Sequence, residues 1–113
     1  MEIKLCDLTS LTPYEGRAAL IDGEAVAVFL IPNSDQQVYV IQNWDPIGQA
    51  YVLNRGIVGD IGGKICVASP LYKQHFELST GECLENADAG IKTWPVNVVD
   101  GEVFTQIQER ACA

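Results

Sequence analysis

The chain has 113 residues, of which 48% are hydrophobic and 19% charged, and this balance indicates one globular domain rather than a disordered segment. Its 15 acidic and 7 basic residues give a formal net charge of −8, which excludes nucleic-acid binders and proteins that dock on anionic lipid, because both need a basic face. A single histidine excludes any mechanism that takes two imidazoles from this chain.

Short runs rich in Val, Ile and aromatic residues recur along the chain, separated by Gly, Pro, Asn and Asp, and this pattern predicts an all-β protein. A helix is expected only over residues 8–16, where Ser10 and Pro13 have the character of a first turn. Two Asp-Gly pairs predict hairpins with type I′ turns. These hairpins join residues 16–21 to 24–31 and residues 94–99 to 102–107.

Between the two hairpins we predict four further strands, at residues 38–42, 51–53, 64–68 and 74–78. The runs 25–31 and 38–41 are apolar without alternation, which is typical of strands covered on both faces. Residues 56–63 contain four glycines and are expected to form a loop with a tight bend. We predict one β domain over residues 1–108, followed by a C-terminal tail over residues 109–113.

The N-terminal segment lacks the basic stretch and apolar run of a signal peptide. The longest apolar run, residues 25–31, has 7 residues, whereas a membrane span needs roughly 20. We therefore expect a cytoplasmic protein that does not cross a membrane. In a reducing cytosol the scattered cysteines stay as thiols. They are Cys6, Cys66, Cys83 and Cys112.

Few residues offer chemistry of their own. A cysteine paired with His75 could act as a nucleophile, and Cys66, His75 and Cys83 could bind zinc, but no two of these lie at the short spacing typical of zinc sites. The favoured interpretation is that His75 is a surface or packing residue and the cysteines are inert thiols. Four carboxylates nearby form either a solvated face or a docking surface for a basic partner. They are Glu77, Glu82, Glu85 and Asp88.

The order of features in the second half carries a resemblance. A strand leads into Asn43-Trp44-Asp45-Pro46-Ile47-Gly48, and later Ser69-Pro70-Leu71-Tyr72 precedes Phe76 and a Thr80-Gly81 turn. This resembles the Rieske domain, whose two cluster loops carry Cys-x-His and Cys-Pro-x-His ahead of a phenylalanine and a Thr-Gly turn. Aligned on that pattern, the positions of the four cluster ligands hold Asp45, Ile47, Ser69 and Tyr72.

A Rieske centre needs two thiolates and two imidazoles, and none of the four residues at these positions supplies either. Ile47 has no donor atom at all. The resemblance therefore implies a Rieske-like fold without a bound iron–sulfur cluster. That fold is an antiparallel β-sandwich with a smaller sheet that bears the two former cluster loops.

Three stretches of sequence point to a particular group of Rieske-like proteins. They are residues 43–46, 53–56 and 67–83, of which the last is the most specific. They look like the small subunits of cytoplasmic NAD(P)H-dependent nitrite reductases. The resemblance implies a large catalytic subunit as partner, which carries FAD, an iron–sulfur cluster and sirohaem, uses NAD(P)H, and reduces nitrite to ammonium in nitrate assimilation. It implies no catalytic residue and no cofactor on this chain.

The tip formed by the two loops is expected to display four apolar side chains, and Arg55 and Lys73 are the basic groups near it. The four are Trp44, Ile47, Leu71 and Tyr72. Clustered apolar residues at an exposed tip indicate an interface, here with the large subunit. The alternative is that they fill the space of the missing cluster. Two other functions stay open, a Rieske-type ferredoxin-like electron carrier and an unrelated small β binding domain.

Overall fold

The structure, a computed structural model, describes residues 2–106. The predicted tail, the boundary at residue 108 and Cys112 lie outside these residues. The strands are β1 (Glu2–Asp7), β2 (Arg17–Ile21), β3 (Glu24–Leu30), β4 (Val38–Gln42), β5 (Trp44–Asp45), β6 (Ala50–Tyr51), β7 (Ile57–Ile61), β8 (Lys64–Ala68), β9 (His75–Glu77), β10 (Thr93–Trp94), β11 (Val96–Val99) and β12 (Glu102–Gln106). Over this range the helical segments are three short 3₁₀ turns, and none has the length and apolar character to cross a bilayer.

Four antiparallel sheets build the domain. The central sheet has the order β10-β4-β3-β2, and a three-stranded sheet of order β1-β12-β11 packs on one of its faces. A second three-stranded sheet, β7-β8-β9, packs on the other face. The two-stranded sheet β5-β6 follows directly on β4. The all-β prediction is confirmed, and the two loops of interest lie on the two smaller sheets beside the central one.

Strands β3 and β4 contribute to both cores because their side chains alternate between the two faces of the central sheet. Val26 and Val28 point into the core shared with β1, β11 and β12. Ala27 and Phe29 point into the core shared with β7, β8 and β9. This arrangement explains why their sequences are apolar without alternation, and the prediction of strands covered on both faces is confirmed.

Both Asp-Gly turns form as predicted, each between two paired antiparallel strands. Asp22 and Gly23 have φ of 50° and 79°, and Ile21 is paired with Glu24. Asp100 and Gly101 have φ of 50° and 76° in the second hairpin. Two consecutive positive φ angles are the mark of the type I′ turn, whose twist matches that of the flanking strands.

The prediction of a loop over residues 56–63 is wrong for most of this segment. Strand β7 occupies Ile57–Ile61 and pairs with β8 in full register. Only Gly62 and Gly63 turn, with φ of 60° and 86°, and the Gly63 N–H donates to Asp60 Oδ1 at 3.0 Å. The glycine pair thus serves a hairpin turn, while Gly59 is tolerated inside a short strand.

The prediction of a helix over residues 8–16 is also wrong. A single 3₁₀ turn covers Leu8–Ser10, and Pro13 forms an isolated parallel bridge with Leu30 instead of opening a helix. The N-terminal strand β1 was not predicted, although Ile3 and Leu5 alternate with polar neighbours as an edge strand should. Its burial depends on pairing with β12 at the other end of the chain.

The strand predicted over residues 94–99 is divided between two sheets at Pro95. Trp94, at the end of β10, pairs with Val40 in the central sheet, whereas β11 pairs with β12. Proline has no N–H for a ladder hydrogen bond, so a strand ends naturally there. The strand predicted at residues 74–78 forms as the shorter β9, whereas the one predicted at residues 51–53 is wrong except at Tyr51, because β6 ends there and Leu53 begins a 3₁₀ turn.

Gly81→Ala tests the close packing of Gly81 against Ile91, which belongs to the core shared with β7, β8 and β9. Gly81 has φ +79°, and a Cβ there would overlap the carbonyl oxygen of Ile91. We expect a loss of about 3 kcal/mol in the free energy of unfolding, from left-handed strain and steric overlap together. In Gly101→Ala the φ of +76° is similar but the site is open, so the expected loss is about 1 kcal/mol. Urea unfolding measures both, and equal losses would contradict the proposed overlap.

Candidate functional site

Two loops meet at one end of the domain. The first, residues 45–50, joins β5 to β6, and the second, residues 69–74, joins β8 to β9. The Ser69 hydroxyl donates a hydrogen bond to Asp45 Oδ2, which links the loops directly. The structure therefore brings together Asp45 and Ser69, the two residues that the Rieske resemblance places at the cysteine positions.

The Asp45 side chain is fully buried and anchors the first loop. Its Oδ1 accepts hydrogen bonds from the backbone N–H groups of Ile47, at 2.8 Å, and Gly48, at 3.0 Å. Its own carbonyl accepts a third from the N–H of Gln49, at 2.7 Å. A buried carboxylate is costly unless its oxygens are hydrogen-bonded, and here both oxygens have partners.

Ser69 plays the matching part in the second loop, and it is 1% exposed. Its backbone N–H donates to the carbonyl of Gln74 at 2.9 Å, and its carbonyl accepts from the N–H of Lys73 at 3.0 Å. Its Oγ also accepts a longer hydrogen bond, 3.3 Å, from the N–H of Leu71. One serine thus closes its own loop and reaches across to the other.

Apolar contacts join the same loops. A Cβ on Gly48 would overlap Leu71 Cδ1, so glycine lets the second loop lie against the first. Ile47 is half-buried and packs against the core shared with β7, β8 and β9. Leu71 therefore lies against the first loop and Ile47 against the core, and the filling of the missing cluster's space by apolar residues stays a prediction.

Three large side chains stay exposed on and beside these loops, and we call them the tip patch: Tyr51, Leu71 and Tyr72. Their exposed fractions are 62%, 46% and 65%. Of the predicted tip residues, Leu71 and Tyr72 belong to the patch, whereas Trp44 and Ile47 are half-buried. Tyr51 is not among the predicted tip residues, and it packs edge-to-face on Trp44 with ring centroids 4.9 Å apart. The feature that could have indicated Tyr51 is its position opposite Trp44 across the first loop, where the two residues pair.

The four assigned ligand positions do not fit a [2Fe–2S] cluster. Asp45 and Ser69 offer oxygen atoms that already bind each other, Ile47 offers only carbon, and the Tyr72 side chain is largely exposed. Such a cluster requires thiolates and imidazoles. Within residues 2–106, no three His, Cys, Asp or Glu side chains are gathered as a metal site would need, and no redox step is assigned to this chain.

The three cysteines in the described part of the chain give no support for a Cys–His nucleophile. Burial, with the nearby carboxylates of Glu77 and Glu85, raises the pKa of the Cys66 thiol to about 11. It therefore stays protonated at neutral pH and is a poor nucleophile. His75 Nδ1 instead lies 2.5 Å from Glu85 Oε2. Cys83 is buried as well, and burial raises the pKa of Cys6.

The acidic residues around β9 bind mainly within their own segment. Glu77 accepts hydrogen bonds from the hydroxyls of Ser79, at 3.3 Å, and Thr80, at 2.9 Å. Desolvation acts to raise the pKa of Glu85, but hydrogen bonds from the His75 backbone and imidazole outweigh it and lower that pKa. These contacts favour the interpretation as a solvated face with local structural roles.

The fold and the two linked loops define a Rieske-like domain whose loops lack the iron ligands. The family model described as "Rieske-like [2Fe-2S] domain" matches residues 3–106. The nitrite reductase (NADH) small subunit of Salmonella typhimurium is 42% identical over 99 residues, covering 88% of this chain and 91% of that protein. The chain belongs to this family of nitrite reductase small subunits.

Structural similarity agrees with the sequence relationship. A crystal structure described as the small subunit of an NADPH nitrite reductase superposes with a TM-score of 0.91 at 55% identity, covering 95% of this chain and 99% of that one. This membership removes the alternative of an unrelated β domain. It also leaves the ferredoxin-like alternative less supported, since the relatives are small subunits and the ligand positions lack thiolates.

A third relative is a different kind of protein. The nitrite reductase [NAD(P)H] large subunit of Klebsiella oxytoca is 35% identical over 105 residues, which cover 93% of this chain but 11% of that protein. A domain similar to this whole chain is therefore part of a much longer large-subunit polypeptide.

Ser69→Ala tests the link between the loops. The substitution removes the only side-chain donor to Asp45 Oδ2 in the described structure and leaves a buried carboxylate oxygen unsatisfied. We expect the free energy of unfolding to fall by about 2 kcal/mol. Ser79→Ala is the control, because Ser79 is exposed and bonds Glu77 weakly, so the expected loss is under about 0.5 kcal/mol. Equal effects in urea titrations would refute the structural role of the link.

Reconstitution with iron and sulfide tests the mismatch of the ligand positions. We expect the purified chain, treated anaerobically with both, to stay free of visible absorption and of iron after desalting, because oxygen and carbon atoms stand where thiolates and imidazoles are needed. Stoichiometric iron with a visible chromophore would contradict this expectation.

Proposed function

We propose that this chain is the small subunit of an NAD(P)H-dependent nitrite reductase, which reduces nitrite to ammonium in nitrate assimilation. The catalytic groups lie on a cytoplasmic large subunit that holds FAD, sirohaem and an iron–sulfur cluster and binds NAD(P)H. The observation that carries the proposal is 42% identity to a small subunit over nearly the full length of both chains. In this proposal the enzyme is an oxidoreductase, and neither nucleic acid nor membrane takes part.

The chemistry of the loops supports a role without catalysis. The donors that would hold a redox group are replaced by a buried hydrogen bond between Asp45 and Ser69. The Cys66 thiol is protonated and buried. Free thiols at Cys6, Cys66 and Cys83 are compatible with a reducing cytoplasm.

The Klebsiella oxytoca protein supports the large subunit as the partner. A domain similar to this chain lies within the polypeptide of a large subunit there. A domain that is covalently attached in one protein and separate in another is expected to contact the same neighbour in both.

The tip patch is the proposed docking surface. Exposed aromatic and aliphatic side chains that cluster are typical anchors of protein interfaces. Leu71 and Tyr72 make the contact in this proposal, with Tyr51 beside them. Trp44 and Ile47 support the loops from beneath, since they are half-buried.

The positions of Glu2 and Gln106, the two ends of the described range, are compatible with this docking. Glu2 pairs with Gln106, the last described residue, in the sheet formed by β1, β12 and β11. That sheet covers one face of the central sheet, whereas Ile47 and Leu53 of the first loop region pack on the opposite face. A covalent connection at either end would therefore leave the tip patch free.

Leu71→Asp tests both the partner and the surface. We expect the wild-type chain to bind the purified flavin- and sirohaem-containing large subunit. Leu71→Asp should weaken the complex by about 2 kcal/mol, roughly 30-fold in Kd, because a charge enters a desolvated contact. The control is Leu20→Asp, since Leu20 is 70% exposed and lies on β2, away from both loops.

Calorimetry measures both affinities. A wild-type chain that fails to bind would overturn the proposed partner. If wild type binds and both variants bind equally well while remaining folded, the docking surface lies elsewhere.

A further inference from the structure

The tip differs in charge from the rest of the molecule. The first loop with its flanking segments covers residues 44–56, and the second loop covers residues 69–74. Together they contain one carboxylate, Asp45, and it is fully buried. The exposed charges of these segments are Arg55 and Lys73, both positive. In a chain of net charge −8, the exposed charges within these two segments are thus positive, while the Glu85 carboxylate lies beside the end of the second loop, where its Oε1 accepts from the His75 N–H at 2.7 Å.

The ion pairs among residues 2–106 involve other cations than these two. Lys4 contacts Asp7 at 2.8 Å, and Lys92 contacts Glu24 at 2.9 Å, whereas Lys64 and Arg17 have no carboxylate partner among residues 2–106. Among residues 2–106, neither Arg55 nor Lys73 has one. Their charges are available to a binding partner without breaking an existing ion pair.

Both cations adjoin the tip patch. Lys73 follows Tyr72 directly, and Arg55 ends the 3₁₀ turn that comes after Tyr51. An apolar centre with charged residues at its rim is the usual anatomy of a protein interface. Rim charges mainly accelerate and orient association, while the apolar centre supplies most of the affinity.

We propose that the tip patch docks on a surface of the large subunit whose apolar centre is bordered by carboxylates, and that Arg55 and Lys73 steer the chain into this orientation. The inference rests on the proposed function and adds the chemistry of the partner's surface. The acidic residues Glu82 and Asp88, which are exposed and follow β9 in the chain, would be repelled by that same surface. Attraction at the tip and repulsion elsewhere together select one approach.

A second copy of this chain is the competing occupant, because its acidic surface could also attract Arg55 and Lys73. The large subunit is favoured, since a domain similar to this chain occurs within a large-subunit polypeptide. Sedimentation of the chain alone separates the two. The expected result is a monomer at the concentrations used for binding, and a dimer that Arg55→Glu dissociates would overturn the proposal.

Association kinetics with the purified large subunit test the steering. For the wild-type chain we expect the association rate constant to fall at least about 10-fold between low and high ionic strength. The double variant Arg55→Glu, Lys73→Glu should associate at least about 10-fold more slowly at low ionic strength and lose most of the salt dependence, with a smaller change in the dissociation rate. Lys64→Glu is the control, because Lys64 is exposed and begins β8 at the far end from the second loop.

A second double variant with milder substitutions controls for an effect on folding. Arg55→Gln, Lys73→Gln removes the charges without reversing them, and it should give an intermediate rate and an intermediate salt dependence. If both double variants associate like wild type while Leu71→Asp blocks binding, the steering is refuted and the proposed function stands. If Lys64→Glu slows association as much as the tip variants, net charge rather than the tip is responsible, and the proposal fails. A wild-type chain that does not bind at all overturns the proposed function itself.

Discussion

The hydrogen bond from Ser69 to the buried carboxylate of Asp45 is the interaction on which the tip of this domain depends. Two loops from different sheets must be held side by side, and a Rieske centre does so with iron. Here a serine and an aspartate make the connection with oxygen atoms. The Asp45 carboxylate can be buried because two backbone N–H groups and one hydroxyl satisfy it, so the link and the conformation of the first loop depend on each other.

This link is effective because the scaffold beneath it is rigid. Strands β3 and β4 are covered on both faces, and Phe29 and Ile41 are completely buried in the core that also receives Ile47 and Leu53 from the first loop region. The second loop extends from β8, whose Val67 enters the same core. Both loops are therefore positioned by one set of packed side chains. This packing brings the two loops close together, and the hydrogen bond then joins them.

Sequence reasoning succeeded where the signal was local. The Asp-Gly turns, the continuous apolar runs and the motif around Ser69 and Phe76 each predicted a feature that the structure or the relatives confirm. It failed where the outcome depends on distant partners. Strand β7 forms in a glycine-rich stretch because β8 pairs with it, and β1 forms because β12 lies beside it. The alignment placed Asp45 and Ser69 at equivalent positions, but no local pattern indicated that their side chains would bind each other.

The loss of the ligands has a consequence for the surface as well as for the interior. In a Rieske carrier the histidines stand at the exposed tip, whereas the exposed side chains here are Tyr51, Leu71 and Tyr72. An acidic chain that needed only solubility would gain nothing from three exposed, large apolar side chains on and beside these two loops. A tip that holds its loops together by an internal hydrogen bond can present any side chains outward, because none is needed for metal. The residues that replace the cluster ligands thus leave the exposed side chains of the tip without a role in holding metal, which is compatible with the proposed docking surface.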